Sequence, residues 1–246
     1  MARQAVRHHG LVSAAGAGVK HQVVTLTHCS FAGAGRYGRL EYLLHVPAGT
    51  PPDGGWPLVL FLHGAGERGR DLELIKREGL PRVVGTGPAS GFMMVAPQCP
   101  VGATWGPYLR TLVALLDDVV AGHPVDGRRV YLTGISMGGY GAWALAALNP
   151  QRFAALVPVC GGGLRSLGFP EKVRELVGMP VWAFHGALDD IVSPGETRVL
   201  VEALAAAGGD VRFTLYPEAG HDSWSRAYAE PELYAWLLAR QRDAAG

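Results

Sequence analysis

The sequence predicts an α/β domain with a mostly parallel central sheet and helices on both of its faces. Short apolar runs, typical of buried strands, alternate with longer segments that have helical spacing. The runs are nearly continuous in apolar character, which indicates strands covered on both faces. In addition, residues 134–138 form a Gly-x-Ser-x-Gly pattern where one run passes directly into an alanine-rich helical segment.

The first half of the chain contains four predicted strands and one helix. Residues 1–20 have no regular apolar pattern and are expected to form a flexible leader. Gly33, Gly35 and Gly38 mark the turn between the first two strands, and residues 47–57 form a loop rich in proline and glycine. Apolar residues at helical spacing predict a helix over 108–121. The predicted strands are 23–26, 40–46, 58–62 and 92–96.

In the second half, strands and helices alternate regularly. The predicted strands are 130–133, 155–159, 181–185 and 211–216. Helices are expected over 139–148, from 193 or 194 to 207, and from 230 or 231 to 240. Asn149-Pro150 ends the first of these helices and Gly208-Gly209 ends the second.

Composition favours one domain over residues 21–246. The chain of 246 residues is 48% apolar and 17% charged, which is enough apolar sequence to bury a large core. Its net charge of +1 gives no electrostatic reason to expect nucleic acid or an acidic membrane as a partner. No apolar run is long enough to cross a bilayer, and we recognise no signal peptide, so a cytoplasmic location is expected. The oligomeric state is left open.

The cysteines and histidines predict no metal site. Cys29, Cys99 and Cys160 are odd in number and widely spaced, which favours buried or half-buried free thiols. His8-His9 could bind a metal, but in a mobile tail the pair is expected to be solvated. No loop that could cradle a phosphate is present, so no cofactor is expected.

Ser136 is the predicted nucleophile. In a strand–turn–helix elbow, small flanking residues let the backbone double back, and the serine lies exposed at the bend. The hydroxyl needs a base, and the base needs an acid that orients it. The alternative for Ser136 is a serine that only begins a helix.

The acid and the base are expected in the order serine, acid, histidine. Asp189 follows the predicted strand 181–185 and His221 follows the strand 211–216, so both lie in loops that can converge on Ser136. Asp190 is the alternative acid. Asp189 could also be a cap or turn residue, and His221 could be an ordinary loop histidine.

The oxyanion that forms during such a reaction needs two hydrogen-bond donors. We expect the backbone N–H groups of Met137, which follows the nucleophile, and of Ala65, in the loop after the strand 58–62. Trp105 is predicted to form an aromatic wall for the substrate, with loop packing as the alternative. Trp224 is expected to be a structural anchor, and Glu67 either fixes the loop of Ala65 or is solvated.

These motifs together resemble a known family. Residues 61–69 (Phe-Leu-His-Gly-Ala-Gly-Glu-Arg-Gly), 96–100 (Ala-Pro-Gln-Cys-Pro), 134–141 (Gly-Ile-Ser-Met-Gly-Gly-Tyr-Gly), 184–190 (Phe-His-Gly-Ala-Leu-Asp-Asp) and 220–222 (Gly-His-Asp) occur in that order. They resemble the phospholipase/carboxylesterase branch of the α/β-hydrolases, close to dienelactone hydrolase-like proteins and predicted peptidases. The resemblance covers residues 40–240 and implies a single-domain α/β-hydrolase fold with Asp189 as the triad acid. Dienelactone hydrolases use a cysteine nucleophile, so Ser136 argues against their particular reaction.

Three functions compete at this point. The leading hypothesis is a serine carboxylesterase that acts on small or soluble esters, because we see no long insertion that would cover the site with a lid. A serine peptidase of the prolyl-oligopeptidase-like type needs the same triad, but usually carries an extra domain that restricts access. The third hypothesis is a catalytically silent binding protein of the same fold, which would usually lack a triad member.

Overall fold

A computed structural model describes residues 25–34 and 37–243. The expected leader over residues 1–20, with His8-His9, lies outside the described residues. Within them, eight strands form one sheet in the order β1-β2-β4-β3-β5-β6-β7-β8. The strands are β1 Leu26–Ala32, β2 Arg39–His45, β3 Trp56–Leu62, β4 Met93–Pro97, β5 Val125–Ile135, β6 Ala155–Val159, β7 Val181–Gly186 and β8 Val211–Tyr216.

The sheet is mostly parallel, as the sequence predicts. Strands β3 to β8 pair with one another in parallel, whereas β1 pairs with β2 and β2 with β4 in antiparallel fashion. The carboxyl ends of β5, β7 and β8 therefore meet at one edge of the sheet. Ser136, Asp189 and His221 all follow strand ends at that edge.

Helices cover both faces of the sheet. They are α1 Leu109–Gly122, α2 Met137–Leu148, α3 Pro194–Ala206, α4 Trp224–Ala227 and α5 Pro231–Leu238. Residues alternate along the strands between two buried clusters: Leu58 and Leu60 pack with α1, α2 and α3, while Val59 and Phe61 pack with α5 on the other face. This alternation explains the nearly continuous apolar runs of the central strands.

Short 3-10 helices fill the connections between these elements. They span Ala65–Glu67, Leu72–Arg77, Leu80–Arg82, Gly87–Gly91, Gly106–Tyr108, Pro150–Arg152, Arg165–Leu167 and Glu171–Leu176. In the part of the chain that the structure describes, no helix has both the length and the apolar character needed to cross a membrane.

Two strands differ from the sequence prediction by more than two residues at one end. The first strand of the described part of the chain runs over Leu26–Ala32, whereas residues 23–24 of the predicted strand 23–26 lie outside the described residues. The stretch to Ala32 was missed because β1 is an edge strand in which exposed and half-buried residues form no apolar run. Strand β5 begins at Val125, five residues before the predicted start, since its polar first half continues beside β3 beyond the core. The short helix α4 was not predicted.

Candidate active site

Ser136 lies at a strained turn between β5 and α2. Its φ of 51° and ψ of −118° are unusual for a residue with a side chain, and its N–H donates to the carbonyl oxygen of Val159 at 3.0 Å. A Cβ on Gly138 would overlap the carbonyl oxygen of Leu62, and a Cβ on Gly134 would overlap the carbonyl oxygen of Gly138. The two glycines therefore let the backbone make the sharp bend that exposes the serine.

The structure brings Ser136, His221 and Asp189 together. Nε2 of His221 lies 3.0 Å from Oγ of Ser136, and Nδ1 of His221 lies 2.8 Å from Oδ2 of Asp189. A carboxylate accepts hydrogen bonds but does not donate them, so Nδ1 carries the hydrogen and Nε2 is free to accept the serine proton. Asp190 is exposed, and it is Asp189, not Asp190, whose carboxylate accepts the hydrogen bond from His221.

Asp189 is held in place by backbone donors. The residue is 7% exposed, and its Oδ1 accepts the N–H groups of Ile191 at 3.0 Å and Val192 at 2.9 Å. Burial opposes ionisation of the carboxyl, but hydrogen bonds from His221, Val192 and Ile191 outweigh it and lower the pKa of Asp189. The carboxylate is thus ionised and fixed in orientation at neutral pH.

The backbone N–H groups of Met137 and Ala65 are the predicted oxyanion donors, and that role stays a prediction. Met137 is the first residue of α2 and Ala65 the first of a 3-10 helix, positions where N–H groups have no partner within the helix. Gly138 packs against the backbone of Leu62 and His63, which places the segment 63–69, here called the oxyanion loop, beside the serine turn.

The buried side chain of His63 connects the oxyanion loop to neighbouring segments. Its Nδ1 donates to the carbonyl oxygen of Gly64 at 2.6 Å, while its Nε2 accepts the N–H of Cys99 at 2.9 Å. Burial lowers the pKa of His63 to about 4. The imidazole is therefore neutral, with one nitrogen as a donor and the other as an acceptor. Nε1 of Trp105 donates to the carbonyl oxygen of His63 at 3.0 Å and adds a third connection.

Two further side chains contact this loop. The amide of Gln98 donates to the carbonyl oxygens of Glu67 at 2.9 Å and Asp71 at 2.7 Å. The side chain of Glu67 is 15% exposed, and its carboxylate lies 3.8 Å from Nδ1 of His63. At this exposure the side chain is packed against the loop rather than solvated, and the burial raises the pKa of Glu67.

Trp224 contacts His221 and a carboxylate. Its ring meets the imidazole of His221 edge-on with centroids 5.3 Å apart, and its Nε1 donates to Glu78 at 2.9 Å. These contacts agree with the anchoring role expected from the sequence.

A cavity of about 320 Å³ opens at the serine. Trp105 lines it although the residue is only 1% exposed, so the same indole forms part of the cavity wall and supports the oxyanion loop. Its contact with substrate stays a prediction. Met137, named above for its backbone N–H, also lines the cavity. Four other lining residues were not singled out from the sequence: Thr104, Tyr140, Leu164 and Val192. Of these, Tyr140 could have been found because it lies one helical turn after Ser136.

The described residues contain one group of three potential metal ligands, Cys160, Asp189 and His221, whose ligand atoms lie within 4.8 Å of one another. Two of the three, Asp189 and His221, are catalytic candidates that are hydrogen bonded to each other. Cys99 and Cys160 are buried and Cys29 is half-buried, and all three are free thiols.

Comparison with known proteins places this site in a family. The sequence model of the dienelactone hydrolase family matches residues 108–233, just over half of the chain. The chain belongs to the dienelactone hydrolase family. The matched segment includes Ser136, Asp189 and His221 but not Ala65, and the chain is a hydrolase with the α/β-hydrolase fold.

Individual relatives act on different bonds according to their names. A poly(3-hydroxyoctanoate) depolymerase of Pseudomonas fluorescens is 27% identical over 84% of this chain and 82% of its own length. A thermostable esterase of known structure is 32% identical with a TM-score of 0.75, over 88% of this chain and 63% of the esterase. An acylaminoacyl peptidase of Pyrococcus horikoshii shares the fold at 14% identity and a TM-score of 0.69, over 92% of this chain and 43% of the peptidase. The chain spans less than two thirds of both solved structures.

Proposed function

We propose that this hydrolase cleaves carboxylic esters through an acyl-enzyme on Ser136. One observation carries the proposal: a single imidazole, that of His221, lies 3.0 Å from the hydroxyl of Ser136 and 2.8 Å from the carboxylate of Asp189. A nucleophile, a base and an orienting acid within hydrogen-bond distance can transfer a proton in one direction and return it.

In the first half of the reaction, Oγ of Ser136 attacks the ester carbonyl while Nε2 of His221 takes the hydroxyl proton. The C–Oγ bond forms, and the carbonyl oxygen becomes an oxyanion that the N–H groups of Met137 and Ala65 stabilise. Asp189 stabilises the imidazolium through the hydrogen on Nδ1. His221 then protonates the leaving alcohol as the C–O bond to that alcohol breaks.

In the second half, a water molecule replaces the alcohol. His221 takes a proton from the water, the hydroxide attacks the acyl carbon, and the same two N–H groups bind the second oxyanion. Collapse of this intermediate breaks the C–Oγ bond, and His221 returns the proton to Ser136. The products are the carboxylic acid and the unchanged enzyme.

The cavity favours a small acyl group. A volume of about 320 Å³ is at the lower end for pockets that hold small molecules. Its walls are mostly apolar, from Trp105, Met137, Leu164 and Val192, which suits a short hydrocarbon chain. We therefore expect short-chain p-nitrophenyl esters to be better substrates than long-chain ones.

The test compares Ser136→Ala with the native protein on p-nitrophenyl acetate, butyrate and octanoate. We expect kcat/KM to fall by about 10⁴-fold or more, since removal of a triad nucleophile abolishes the acyl-enzyme. Ser30→Ala, on the edge strand β1, is the matched control and should keep native activity. A fluorophosphonate probe should label the native protein and not Ser136→Ala. Full activity of Ser136→Ala would refute the proposal, and an unlabelled, inactive native protein would favour the silent binding protein.

The peptidase alternative is tested with a second set of substrates. A peptidase must protonate an amine, which is a poorer leaving group than an aryl alcohol. Matched peptidyl esters and peptidyl coumarin amides separate the two activities. We expect cleavage of the esters alone, and amide turnover within about tenfold of ester turnover would favour the peptidase.

A narrower second candidate is the ester of a hydroxylated alkanoic acid. The hydroxyl-bearing side chains of Thr104 and Tyr140 line the cavity, and neither forms a hydrogen bond with another described residue. The P. fluorescens relative is named for a polyester of 3-hydroxyoctanoate. An unpaired hydroxyl in an otherwise apolar cavity favours a substrate that carries a matching polar group.

The matched substrates for this candidate are p-nitrophenyl butyrate and p-nitrophenyl 3-hydroxybutyrate. The native protein should prefer the hydroxylated ester, and Tyr140→Phe should reduce that preference about tenfold, the effect of one hydrogen bond. An unchanged preference in Tyr140→Phe would remove this candidate while the general ester hydrolase proposal stands.

A further inference from the structure

A second imidazole contacts the carboxylate of Asp189. His185, the fifth residue of β7, is fully buried, and its Nε2 lies 3.1 Å from Oδ2 of Asp189 and 2.9 Å from the carbonyl oxygen of Val192. Oδ2 is the same oxygen that accepts the hydrogen bond from His221. The reaction proposed above makes no use of His185.

The neighbours of His185 determine where its hydrogen lies. Both groups beside Nε2, a carboxylate and a carbonyl, are acceptors, so Nε2 must be the donor. Nδ1 lies 2.7 Å from the hydroxyl of Thr197, whose one hydrogen is shared between Nδ1 and the carbonyl oxygen of Gly161. Burial lowers the pKa of His185, which agrees with a neutral ring that has its one hydrogen on Nε2.

Asp189 therefore has donors on both oxygens. Oδ1 accepts two backbone N–H groups, from Ile191 and Val192, and Oδ2 accepts the two imidazoles of His185 and His221. With the two backbone hydrogen bonds to Oδ1 alone, the carboxylate of Asp189 could rotate and move Oδ2. A buried donor to Oδ2 fixes the position of that oxygen and therefore the orientation of the His221 ring that it binds.

We propose that His185 is a positioning residue for the reaction: its Nε2–H fixes Oδ2 of Asp189 and withdraws negative charge from it, which sets the orientation and the basicity of His221. Thr197 contacts the ring of His185 from the other side, and its hydroxyl also bonds to the carbonyl oxygen of Gly161, so it connects α3 with the segment after β6. This inference rests on the proposed role of Ser136, His221 and Asp189.

Other titratable groups surround the Asp189–His221 pair and are unchanged by substitutions at His185. Cys160 follows β6 and Tyr140 lies on α2, and both interact electrostatically with Asp189. Asp222 adjoins His221 in the chain, and Glu78 contacts Trp224, whose ring packs on His221. Because these groups stay in place, a changed pH profile in a His185 variant reports on His185.

The test measures kcat/KM for p-nitrophenyl butyrate from pH 5 to 9 in His185→Phe and His185→Gln. In His185→Phe the N–H is lost, and we expect kcat/KM to fall about 10- to 100-fold through loss of alignment. Oδ2 then carries more negative charge and stabilises the imidazolium of His221, so the acid limb of the profile should move to higher pH by about 0.5–1 unit. Glutamine can place an N–H at the position of Nε2, so His185→Gln should recover most of both effects.

His45→Phe is the matched control, because His45 is a buried histidine on β2 that does not contact Asp189. It should lower stability without moving the acid limb. A folded His185→Phe with a native acid limb would overturn the inference, as would a folded His185→Gln that resembles His185→Phe. If His185→Phe does not fold, Thr197→Val serves instead, and a native pH profile and rate in Thr197→Val would overturn the inference. If Ser136→Ala loses activity but the His185 variants keep the native rate and pH profile, the role proposed for His185 is rejected and the ester hydrolase proposal stands.

Discussion

Replacing His63 with glutamine tests how stability depends on a neutral imidazole under the oxyanion loop. The ring is 1% exposed, donates to the carbonyl oxygen of Gly64 and accepts the N–H of Cys99. Protonation would place a donor opposite the N–H of Cys99 and a charge in the core. Glutamine can accept from Cys99 but does not titrate, so the variant separates the hydrogen bond from the protonation.

The expected magnitude follows from the pKa. Burial lowers the pKa of His63 from 6.5 to about 4, so between these pH values the unfolded chain binds a proton that the folded protein does not. The contribution of His63 to the free energy of unfolding is therefore fully present above pH 6.5 and is lost as the pH falls toward 4. At about 1.36 kcal/mol per pH unit, a change from pH 7 to pH 5 lowers the free energy of unfolding of the native protein by about 2 kcal/mol through His63. Glutamine at this position does not titrate, so the variant has no such loss.

Urea unfolding followed by tryptophan fluorescence measures both proteins at pH 7 and pH 5. At pH 7 the native protein should be more stable by about 1–3 kcal/mol, since glutamine leaves one buried polar group unpaired. At pH 5 this difference should be smaller by about 2 kcal/mol. His123→Gln, at a half-buried position after α1, is the control and should show no such narrowing. An equal difference between His63→Gln and the native protein at both pH values would refute the reasoning.

Two other predictions concern packing around the serine turn. Gly138→Ala should destabilise the protein by more than about 3 kcal/mol or prevent folding, because the added Cβ overlaps the backbone of Leu62. Thermal unfolding measures this effect. Gly178→Ala is the control: its added Cβ meets nothing within 4 Å, so it should unfold like the native protein. Trp105→Phe keeps an aromatic ring but leaves the carbonyl oxygen of His63 without its donor, so stability should fall by about 1–3 kcal/mol and kcat/KM should fall with it. Native stability of Trp105→Phe in urea would contradict this expectation.

Local patterns predicted most of the sheet and missed one of its two edge strands, β1. Strands β6 and β8 begin and end where the sequence predicts. Strand β6 is a fully buried apolar run, and β8, at the other edge of the sheet, carries apolar residues at alternate positions. Strand β1 has one partner strand and no apolar run, so nothing in Leu26–Ala32 identified it before pairing with β2 was known. The polar beginning of β5 was missed for the same reason.

The candidate catalytic residues were predictable because each has a local signal. Glycines flank Ser136 at a strand end, and Asp189 and His221 follow strand ends in the order that the fold requires. The choice between Asp189 and Asp190 depended on a family resemblance. In the structure, burial and the backbone donors of Ile191 and Val192 distinguish the two carboxylates.

Sequence by itself determined the fold class, the strained turn at Ser136 and the chain order of the reactive groups, because strand period, glycine geometry and strand ends are properties of neighbouring residues. Only the tertiary structure decided that His185 shares an oxygen of Asp189 with His221, that His63 is a neutral support for the oxyanion loop, and that Tyr140 and Val192 line the same cavity as Trp105. These contacts join residues from separate elements, and no local pattern encodes the distance between them. Packing of helices on both faces of one twisted sheet sets that distance.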